Sequence, residues 1–239
     1  PVQLGSVGWS AATAVAVAGN TAYLGDVNGA LSIMNITNPA SPLRLGYRIV
    51  SSAISDLASA NNHVYVADRL YLEVVNVSIP VQPRVVGALL GLAGARAVAP
   101  THPNTCLVAG EMNATIVEAS DATHPRQIAQ WYTPAAVRDA AVAEGRAYLV
   151  GDALSVGLSP SAAASGRLQI VNVADPARPN YLGGCALSSI AQAVAVSQTV
   201  GYTPTVAYVA IGLAGVSIVD ASDPAHAREV AVYDTAAYA

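Results

Sequence analysis

The residues of this sequence with the clearest chemical potential are six acidic side chains and one arginine at or near predicted turns. They are Asp26, Asp56, Asp68, Glu111, Arg138, Asp139 and Asp152. Carboxylate oxygens bind Ca²⁺ when several converge on one point, so a cation or polar-ligand site is one hypothesis for this set. The competing interpretation is that Asp begins a turn because its side chain accepts backbone N–H groups. The sequence has no dense alternation of acidic residues, so we favour the turn interpretation. We predict no cofactor, with Ca²⁺ as the alternative.

Asp56, Arg138 and Asp139 differ from the other members of this set because they lie at the starts of apolar runs. A bound polar ligand is one explanation of charge at these positions. The interpretation we favour is that these side chains pair with one another or with water.

The histidines and cysteines do not form a recognisable active site. Zinc needs three or four converging ligands, whereas the four histidines are dispersed along the chain. No nucleophile elbow, phosphate-binding loop or dinucleotide-binding motif is present. Cys106 and Cys185 lack a metal-type spacing, and we expect two buried thiols, with a disulfide as the alternative. We therefore favour a protein without catalytic activity.

Three Asn-x-Ser/Thr motifs are candidates for N-glycosylation, at Asn35, Asn76 and Asn113. Asn35 and Asn76 occupy the same place in a repeated pattern, which explains their motifs without a glycan. Asn113 lies in a predicted turn outside that pattern. It is therefore the strongest of the three candidates.

The repeated pattern is an apolar run that ends in an acid or amide and a proline-containing turn. The stretch "LSIMNITNPASP" recurs as "LEVVNVSIPVQP", "ATIVEASDATHP", "LQIVNVADPARP" and "VSIVDASDPAHA". The residue before the first proline falls at positions 38, 79, 121, 175 and 223, which gives spacings of 41, 42, 54 and 48. Internal repeats of this length are typical of solenoids and propellers.

Each repeat contains four short β-type runs separated by Gly, Asn, Asp or Pro turns. The apolar periodicity is two and not 3.6, which excludes helical repeats. Four strands in roughly 40–45 residues are typical of a propeller blade. We predict one all-β domain over 1–239, a β-propeller of four-stranded antiparallel blades. The predicted blade units are 9–49, 53–90, 94–132, 136–186 and 190–234, with 1–8 as an extra outer strand that closes the ring.

The motifs "LSIMNITNP", "LEVVNVSIP", "LQIVNVADP" and "VSIVDASDP" resemble the LVIVD repeat family. The resemblance covers nearly the whole chain and implies a propeller. From the number of repeats we expect five blades, with a section of a six- or seven-bladed ring as the alternative. It also implies a secreted or cell-surface protein. The family carries no established activity that the resemblance would transfer.

Two insertions and three aromatic residues are candidates for partner contact. Residues 153–166 and 198–205 interrupt the repeat and are small, apolar and nearly uncharged, which suits packing against another protein. Their candidate contact residues are Leu154, Leu158, Pro160, Tyr202 and Pro204. The aromatic residues Trp9, Trp131 and Tyr132 are able to stack on sugars, although packing at a blade edge is the interpretation we favour. Neutral surface insertion is the alternative for both segments.

The composition limits the classes of partner. The net charge is -4 and only 11% of residues are charged, well below the roughly 25% of soluble proteins. The chain therefore lacks the clustered basic surface that nucleic acid requires. The most apolar window, 85–100, is shorter than the roughly 20 residues of a membrane-spanning helix and contains Arg96.

We predict a non-catalytic propeller scaffold for protein–protein interaction or surface assembly, located outside the cytoplasm. One alternative is a small-molecule or metal-dependent enzyme. Its site would lie at the mouth of the central channel of the propeller, where we expect the acidic residues and the arginine named above. The other is a carbohydrate-binding module.

Overall fold

The computed structural model describes residues 11–134, 136–152, 166–197 and 205–235. These residues form five four-stranded antiparallel sheets, and two single 3₁₀ turns are present at Gly212–Ala214 and Pro224–His226. The predicted all-β fold with four-stranded blades is confirmed. The described residues contain no helix long and apolar enough to cross a membrane. The strand predicted over 1–8 lies outside the described residues, so its closing of a ring stays a prediction.

Each sheet contains four strands that are consecutive in sequence and is called a blade. Blade 1 comprises β1 (Ala12–Ala18), β2 (Thr21–Asp26), β3 (Ala30–Asn35) and β4 (Leu43–Ile49). Blade 2 comprises β5 (Asp56–Ala60), β6 (His63–Ala67), β7 (Arg69–Asn76) and β8 (Arg84–Ala95). Blade 3 comprises β9 (Ala97–His102), β10 (Thr105–Ala109), β11 (Asn113–Glu118) and β12 (Arg126–Tyr132). Blade 4 comprises β13 (Val137–Ala143), β14 (Arg146–Asp152), β15 (Gly166–Asn172) and β16 (Asn180–Leu187). Blade 5 comprises β17 (Ala193–Ser197), β18 (Val206–Ala210), β19 (Val216–Asp220) and β20 (Arg228–Tyr233).

The chain divides into two compact units. The first consists of Pro1–Val108 and Val117–Gln127, and the second consists of Ala109–Ile116 and Ile128–Ala239. In the first unit, Tyr23 and Ile33 of blade 1 pack against Val64 and Val66 of blade 2. Apolar side chains from both faces of these strands are buried, which explains why the runs are nearly continuously apolar.

The second unit has a core of the same kind between blades 4 and 5. Tyr148 and Ile170 of blade 4 pack with Val209 and Val219 of blade 5. These side chains are fully or almost fully buried. In both units, a tyrosine of the second strand and an aliphatic residue of the third strand therefore form the contact with the following blade.

We call the residue at the position before the first proline of the repeat pattern the landmark residue. A turn that begins at the landmark residue joins the third strand of each blade to the fourth. At all five landmarks, the carbonyl of the landmark residue accepts a hydrogen bond from the N–H three residues later. The distances from N to O are 2.9–3.0 Å, and the landmark residues are Asn38, Ile79, Asp121, Asp175 and Asp223. The unequal spacings in the sequence thus mark structurally equivalent positions.

The fourth strand carries the same irregularity in blades 1, 2, 4 and 5. One extra residue interrupts the pairing with the third strand, at Leu45, Val86, Leu182 and Val230. A β-bulge of this kind bends the strand and increases its right-handed twist. The bulge therefore shapes the outer strand in these four blades.

Glycine follows the bulge where the next blade comes close. A Cβ atom on Gly46 would lie 2.3 Å from the carbonyl oxygen of Pro80, which belongs to the landmark turn of blade 2. Gly87 approaches Ala122 of blade 3 in the same way, at 2.2 Å. Backbone oxygens cannot move aside as a flexible side chain does. The absence of a side chain at these two positions is therefore a condition for the close approach of successive blades.

We expect Gly46→Ala and Gly87→Ala each to lower the free energy of unfolding by about 1–3 kcal/mol, because the added methyl group overpacks a blade contact. Urea denaturation measures the loss. The matched control is Ala231→Val at the corresponding, exposed position of blade 5, for which we expect a change within about 0.5 kcal/mol. Equal stability of all three variants would contradict the proposed role of the glycines.

Candidate functional site

The carboxylates of Asp26 and Asp68 lie in turns between second and third strands. Oδ1 of Asp26 accepts hydrogen bonds from the backbone N–H groups of Asn28 and Ala30, both at 2.8 Å. Oδ1 of Asp68 accepts from the N–H groups of Leu70 and Tyr71, at 3.2 and 2.7 Å. Both side chains therefore stabilise the turn in which they stand.

Asp68 has a second feature that a simple turn residue lacks. Its side chain is buried, and its Oδ2 atom has no hydrogen-bond partner among the described residues. Burial raises the pKa of this carboxyl, and the nearby charge of Glu73 raises it further, while the two backbone N–H groups oppose the shift. The ionised form of Asp68 is thus destabilised by the fold.

Asp56 and Asp139 occupy equivalent positions in the first strands of blades 2 and 4. One oxygen of Asp56 accepts from its neighbour Leu57, and the other accepts from the N–H of Val98 in blade 3, both at 2.8 Å. Asp139 accepts from Ala140 at 2.8 Å and from Val194 in blade 5 at 2.7 Å. Each carboxylate therefore connects the first strand of its own blade to the first strand of the next.

Arg138 and Asp152 form an ion pair within the predicted set. Nε and Nη2 of Arg138 donate to the two carboxylate oxygens of Asp152, at 3.0 and 2.9 Å. Nη1 of Arg138 also donates to Oε1 of Gln192 at 3.2 Å. Bidentate pairs of this kind are geometrically specific and strong. Glu111 lies exposed in the bend between β10 and β11.

No three His, Cys, Asp or Glu side chains within the described ranges come together in a group that could hold a metal ion. His124 and His226 instead pair with acidic residues of their own landmark turns. The distance from Nδ1 of His124 to Asp121 is 2.9 Å, and that from Nδ1 of His226 to Asp223 is 2.7 Å. Together with Thr123, His124 holds the pKa of Asp121 low, at about 2, and the hydrogen bond from the Thr123 side chain is the larger cause.

Both cysteines are free thiols. Cys106 is fully buried in β10, and burial raises the pKa of its thiol. Cys185 is half-buried in β16, and its pKa is raised to about 11, mainly by burial and then by the charge of Glu229. Thiols with raised pKa values are poor nucleophiles at neutral pH.

The three glycosylation candidates lie in different environments. The side-chain oxygen of Asn35 accepts from the N–H of Thr37 at 2.8 Å, and that of Asn76 accepts from the N–H of Ser78 at 3.0 Å. The repeat-equivalent Asn172 accepts from Ala174 in the same way. Asn113 is exposed at the start of β11. Glycosylation at these positions stays a prediction.

The sequence analysis did not identify one row of buried polar residues. The second residue of each third-strand motif is polar in every blade and is buried in every blade. These residues are Ser32, Glu73, Thr115, Gln169 and Ser217. An alignment of the five motifs would have revealed the row, because a polar residue alternates there with apolar neighbours.

Buried Glu73 of this row and half-buried Glu229 of the fourth strand of blade 5 each hold the connection that enters their blade. Oε1 of Glu73 accepts from the N–H of Ser51, at 2.9 Å, in the segment between blades 1 and 2. In blade 5, Glu229 of the fourth strand accepts from the N–H and the hydroxyl of Ser188, at 3.1 and 3.2 Å, and from Ser217 at 2.8 Å. Ser51 and Ser188 occupy equivalent positions, so two different strands supply the same acceptor.

A cavity of about 240 Å³ lies at the corresponding groove beside blade 4. We call it the aromatic pocket, and it is lined by Trp131, Tyr132, Pro134, Arg167, Gln169, Val171 and Tyr181. Trp131 and Tyr132 thus lie together in one pocket, which also contains a third aromatic residue that the sequence analysis did not select. Trp9 lies outside the described residues, as do the insertion residues Leu154, Leu158, Pro160, Tyr202 and Pro204.

We expect Asp139→Ala to lower the free energy of unfolding by about 1–3 kcal/mol, because it leaves the N–H of Val194 without its acceptor. The matched control is Asp175→Ala, which removes a hydrogen bond to Ala177 from an exposed turn. We expect the control to lose less than about 1 kcal/mol. Equal losses of unfolding free energy for the two variants in urea denaturation would contradict this expectation. They would show that the hydrogen bond between Asp139 and Val194 stabilises the fold no more than a hydrogen bond within an exposed turn does.

Asp68 and Asp121 have pKa shifts of opposite sign, which predicts opposite dependences of stability on pH. Ionisation of Asp68 lowers the free energy of unfolding. This loss is absent below the pKa that the Asp68 carboxyl has in the unfolded chain, and it is complete above the raised pKa that the carboxyl has in the folded chain. Asp68→Asn therefore becomes more stable relative to wild type as the pH rises from 3 to 7, roughly the range that brackets an ordinary Asp pKa. Ionised Asp121 supports folding, and that support is lost as the pH falls towards about 2.

Asp121→Asn is therefore the internal control, since it becomes less stable relative to wild type over the same rise in pH. Denaturation at a series of pH values measures both differences. Parallel pH profiles for the two variants would contradict the assignment of opposite signs.

The comparisons with known proteins agree with the geometry. The family model of the LVIVD repeat matches residues 11–46, 53–90 and 190–235, just over half of the chain. The computationally designed Ika8 protein superimposes with a TM-score of 0.65 at 13% identity, covering 94% of this chain and 62% of that one. The designed Ika4 protein has a TM-score of 0.50 at 14% identity, covering 60% of this chain and 86% of that one. None of the curated proteins matches this chain.

The chain thus spans 62% of the length of the designed Ika8 protein. At such low identity, the two designed proteins show a likeness of fold alone. The three segments that match the family model cover all of blade 5 and all of blades 1 and 2 except the ends of their fourth strands. The chain therefore belongs to the LVIVD repeat family, and it is a β-propeller of four-stranded antiparallel blades.

Proposed function

We propose that this chain is a non-catalytic scaffold that associates with a second copy of itself through the open faces of its blades. The propeller-type repeat fold supports a scaffold-like role. The observation that carries the proposal is the exposure of Tyr208 in blade 5, at a position that is buried in blades 1, 2 and 4. A location outside the cytoplasm, expected from the low charge, is part of the same proposal.

Tyr208 is 42% exposed, whereas Tyr23, Tyr65 and Tyr148 at the equivalent position are 8%, 2% and 1% exposed. Tyr23 packs against blade 2, Tyr65 against blade 3 and Tyr148 against blade 5. The position is therefore the one through which a blade contacts its successor. Tyr208 presents the same side chain to solvent.

The surface around Tyr208 is apolar and concave. A cavity of about 270 Å³ is lined by Ala193, Val194, Ala195, Tyr208, Ala210 and Val216. None of the described residues that line this cavity carries a charge. Such a surface suits contact with an apolar β-sheet face better than contact with a charged ligand.

The first strand of blade 1 is exposed at the side that faces the preceding blade in the other repeats. Val15 is 60% exposed, whereas Leu57, Val98 and Ala140 at the equivalent position are at most 8% exposed. Val17 in the same strand is also exposed. Blade 1 thus offers the kind of face that Tyr23, Tyr65 and Tyr148 contact elsewhere in this chain.

These two faces support head-to-tail association, in which blade 5 of one copy contacts blade 1 of another. Such an interface is heterologous, since different surfaces of the two copies meet. The proposal takes up the alternative that the five blades form one section of a larger ring. The hydrogen bonds of Asp26, Asp56, Asp139 and Asp152 support binding without catalysis, because they engage these carboxylates in the fold.

We expect the mass of the wild-type chain in sedimentation equilibrium to rise with protein concentration. Tyr208→Glu places a charge in the interface and weakens association at least about tenfold. The matched control is Val232→Glu, which changes an exposed side chain in the fourth strand of the same blade but on the opposite face of the sheet, and leaves association unchanged. A wild-type chain that stays monomeric at every concentration would overturn the proposal, as would equal association of the two variants.

A further inference from the structure

The aromatic pocket occupies a groove that holds a carboxylate at two other blade joints. In the groove between blades 1 and 2, Glu73 accepts from the backbone N–H of Ser51, and in the groove between blades 4 and 5, Glu229 accepts from that of Ser188. Gln169 takes the position of Glu73 in the pocket, since both follow the first leucine of the third-strand motif. Tyr181 takes the position of Glu229, since each pairs with the last valine of that motif.

Pro134 replaces the backbone donor of this groove, as Gln169 and Tyr181 replace the carboxylate acceptors. It stands where Ser51 and Ser188 stand in the other two grooves, and proline has no N–H to donate. The carboxylate and the backbone donor are therefore both replaced in this groove. The position that they fill elsewhere is left as a cavity.

The charge of the pocket favours an anion. Of the described residues that line the pocket, Arg167 alone is charged, and none is a carboxylate. Within the described residues, no acidic group lies in salt-bridge distance of Arg167. Its guanidinium group is exposed and offers the planar donor pair that carboxylates accept.

The walls of the pocket favour a ring. Trp131, Tyr132 and Tyr181 supply aromatic surface, and Val171 adds an aliphatic patch. Gln169 is buried and carries both a donor and an acceptor. The indole N–H of Trp131 is buried and has no hydrogen-bond acceptor in the described chain.

The size of the pocket limits the ligand to one ring. Pockets for drug-sized molecules have volumes of roughly 300–1,000 Å³. The aromatic pocket is smaller, at about 240 Å³. A long peptide or an extended oligosaccharide would therefore place only one residue or one sugar in it.

We propose that the aromatic pocket binds a small carboxylate that carries a single ring. The ring lies against Trp131, Tyr132 and Tyr181, and the carboxylate lies towards Arg167. Aromatic acids and sugar acids share this chemistry. The pocket residues fall between the segments that match the family model, so the site belongs to this chain and not to the repeat in general. The site is also independent of self-association, because its lining includes neither Tyr208 nor Val15.

The test is calorimetric titration of the wild-type chain with two carboxylates and two neutral analogues. The probes are benzoate and glucuronate, with benzyl alcohol and glucose as their neutral counterparts. We expect at least one carboxylate to bind about tenfold more tightly than its neutral counterpart, because a charge-assisted hydrogen bond is lost in the latter. Binding of benzoate alone identifies aromatic acids as the source, and binding of glucuronate alone identifies sugar acids.

Two substitutions locate the binding in the pocket. Arg167→Gln is expected to weaken carboxylate binding about tenfold and to leave the neutral probe unchanged. The matched control is Arg84→Gln, which removes an exposed arginine from the fourth strand of blade 2 and leaves binding intact. Gln169→Glu restores the carboxylate found in blade 2 and is expected to abolish binding by repulsion.

Near-ultraviolet circular dichroism establishes that each variant is folded. If Gln169→Glu unfolds the protein, Arg167→Gln alone decides the outcome. Arg167 is exposed, so we expect its substitution to leave the fold intact. The proposal is overturned if neither carboxylate binds, if the neutral probes bind as tightly, or if Arg167→Gln binds as wild type does.

Discussion

The close approach of one blade to the next is the constraint on which the rest of the structure depends. Gly46 and Gly87 have no room for a side chain, because the landmark turn of the following blade lies against them. At this distance, backbone N–H groups in the connections and first strands lose access to water and need acceptors from the protein. Asp56, Asp139, Glu73 and Glu229 supply those acceptors. Much of the small acidic content of the chain is thus committed to its own backbone.

The acidic residues fall into two groups with opposite electrostatic character. Those in exposed landmark turns, such as Asp121 and Asp223, are stabilised in the ionised form by hydroxyl, imidazole and backbone donors. Those between or behind strands, such as Asp68 and Asp139, ionise against the effect of burial, although backbone N–H groups oppose that effect. The same residue type therefore supports the fold at the surface and strains it in the interior, and the difference follows from desolvation.

The strands, the four-stranded blades and the family were predictable from the sequence, because each rests on a local pattern repeated five times. The bonds of Asp56 and Asp139 were not, since their partners lie 42 and 55 residues away in the next blade. The aromatic pocket was partly predictable. Trp131 and Tyr132 were selected for their aromatic surface, whereas Tyr181, Arg167 and Gln169 join them only through the register of β15 and β16. The role of Pro134 depends on an atom that it lacks, and no pattern of residue types reveals such an absence.

The exchange at Pro134 has a consequence for how repeat proteins gain new properties. At the joints that enter blades 2 and 5, a backbone N–H donor is matched by a side-chain carboxylate. A single proline removes the donor, so no acceptor is needed opposite it and that position is able to carry another residue type. Each joint that has this donor and acceptor is a separate opportunity for the same change. A chain of this architecture can therefore diversify one joint at a time while the remaining joints preserve the fold.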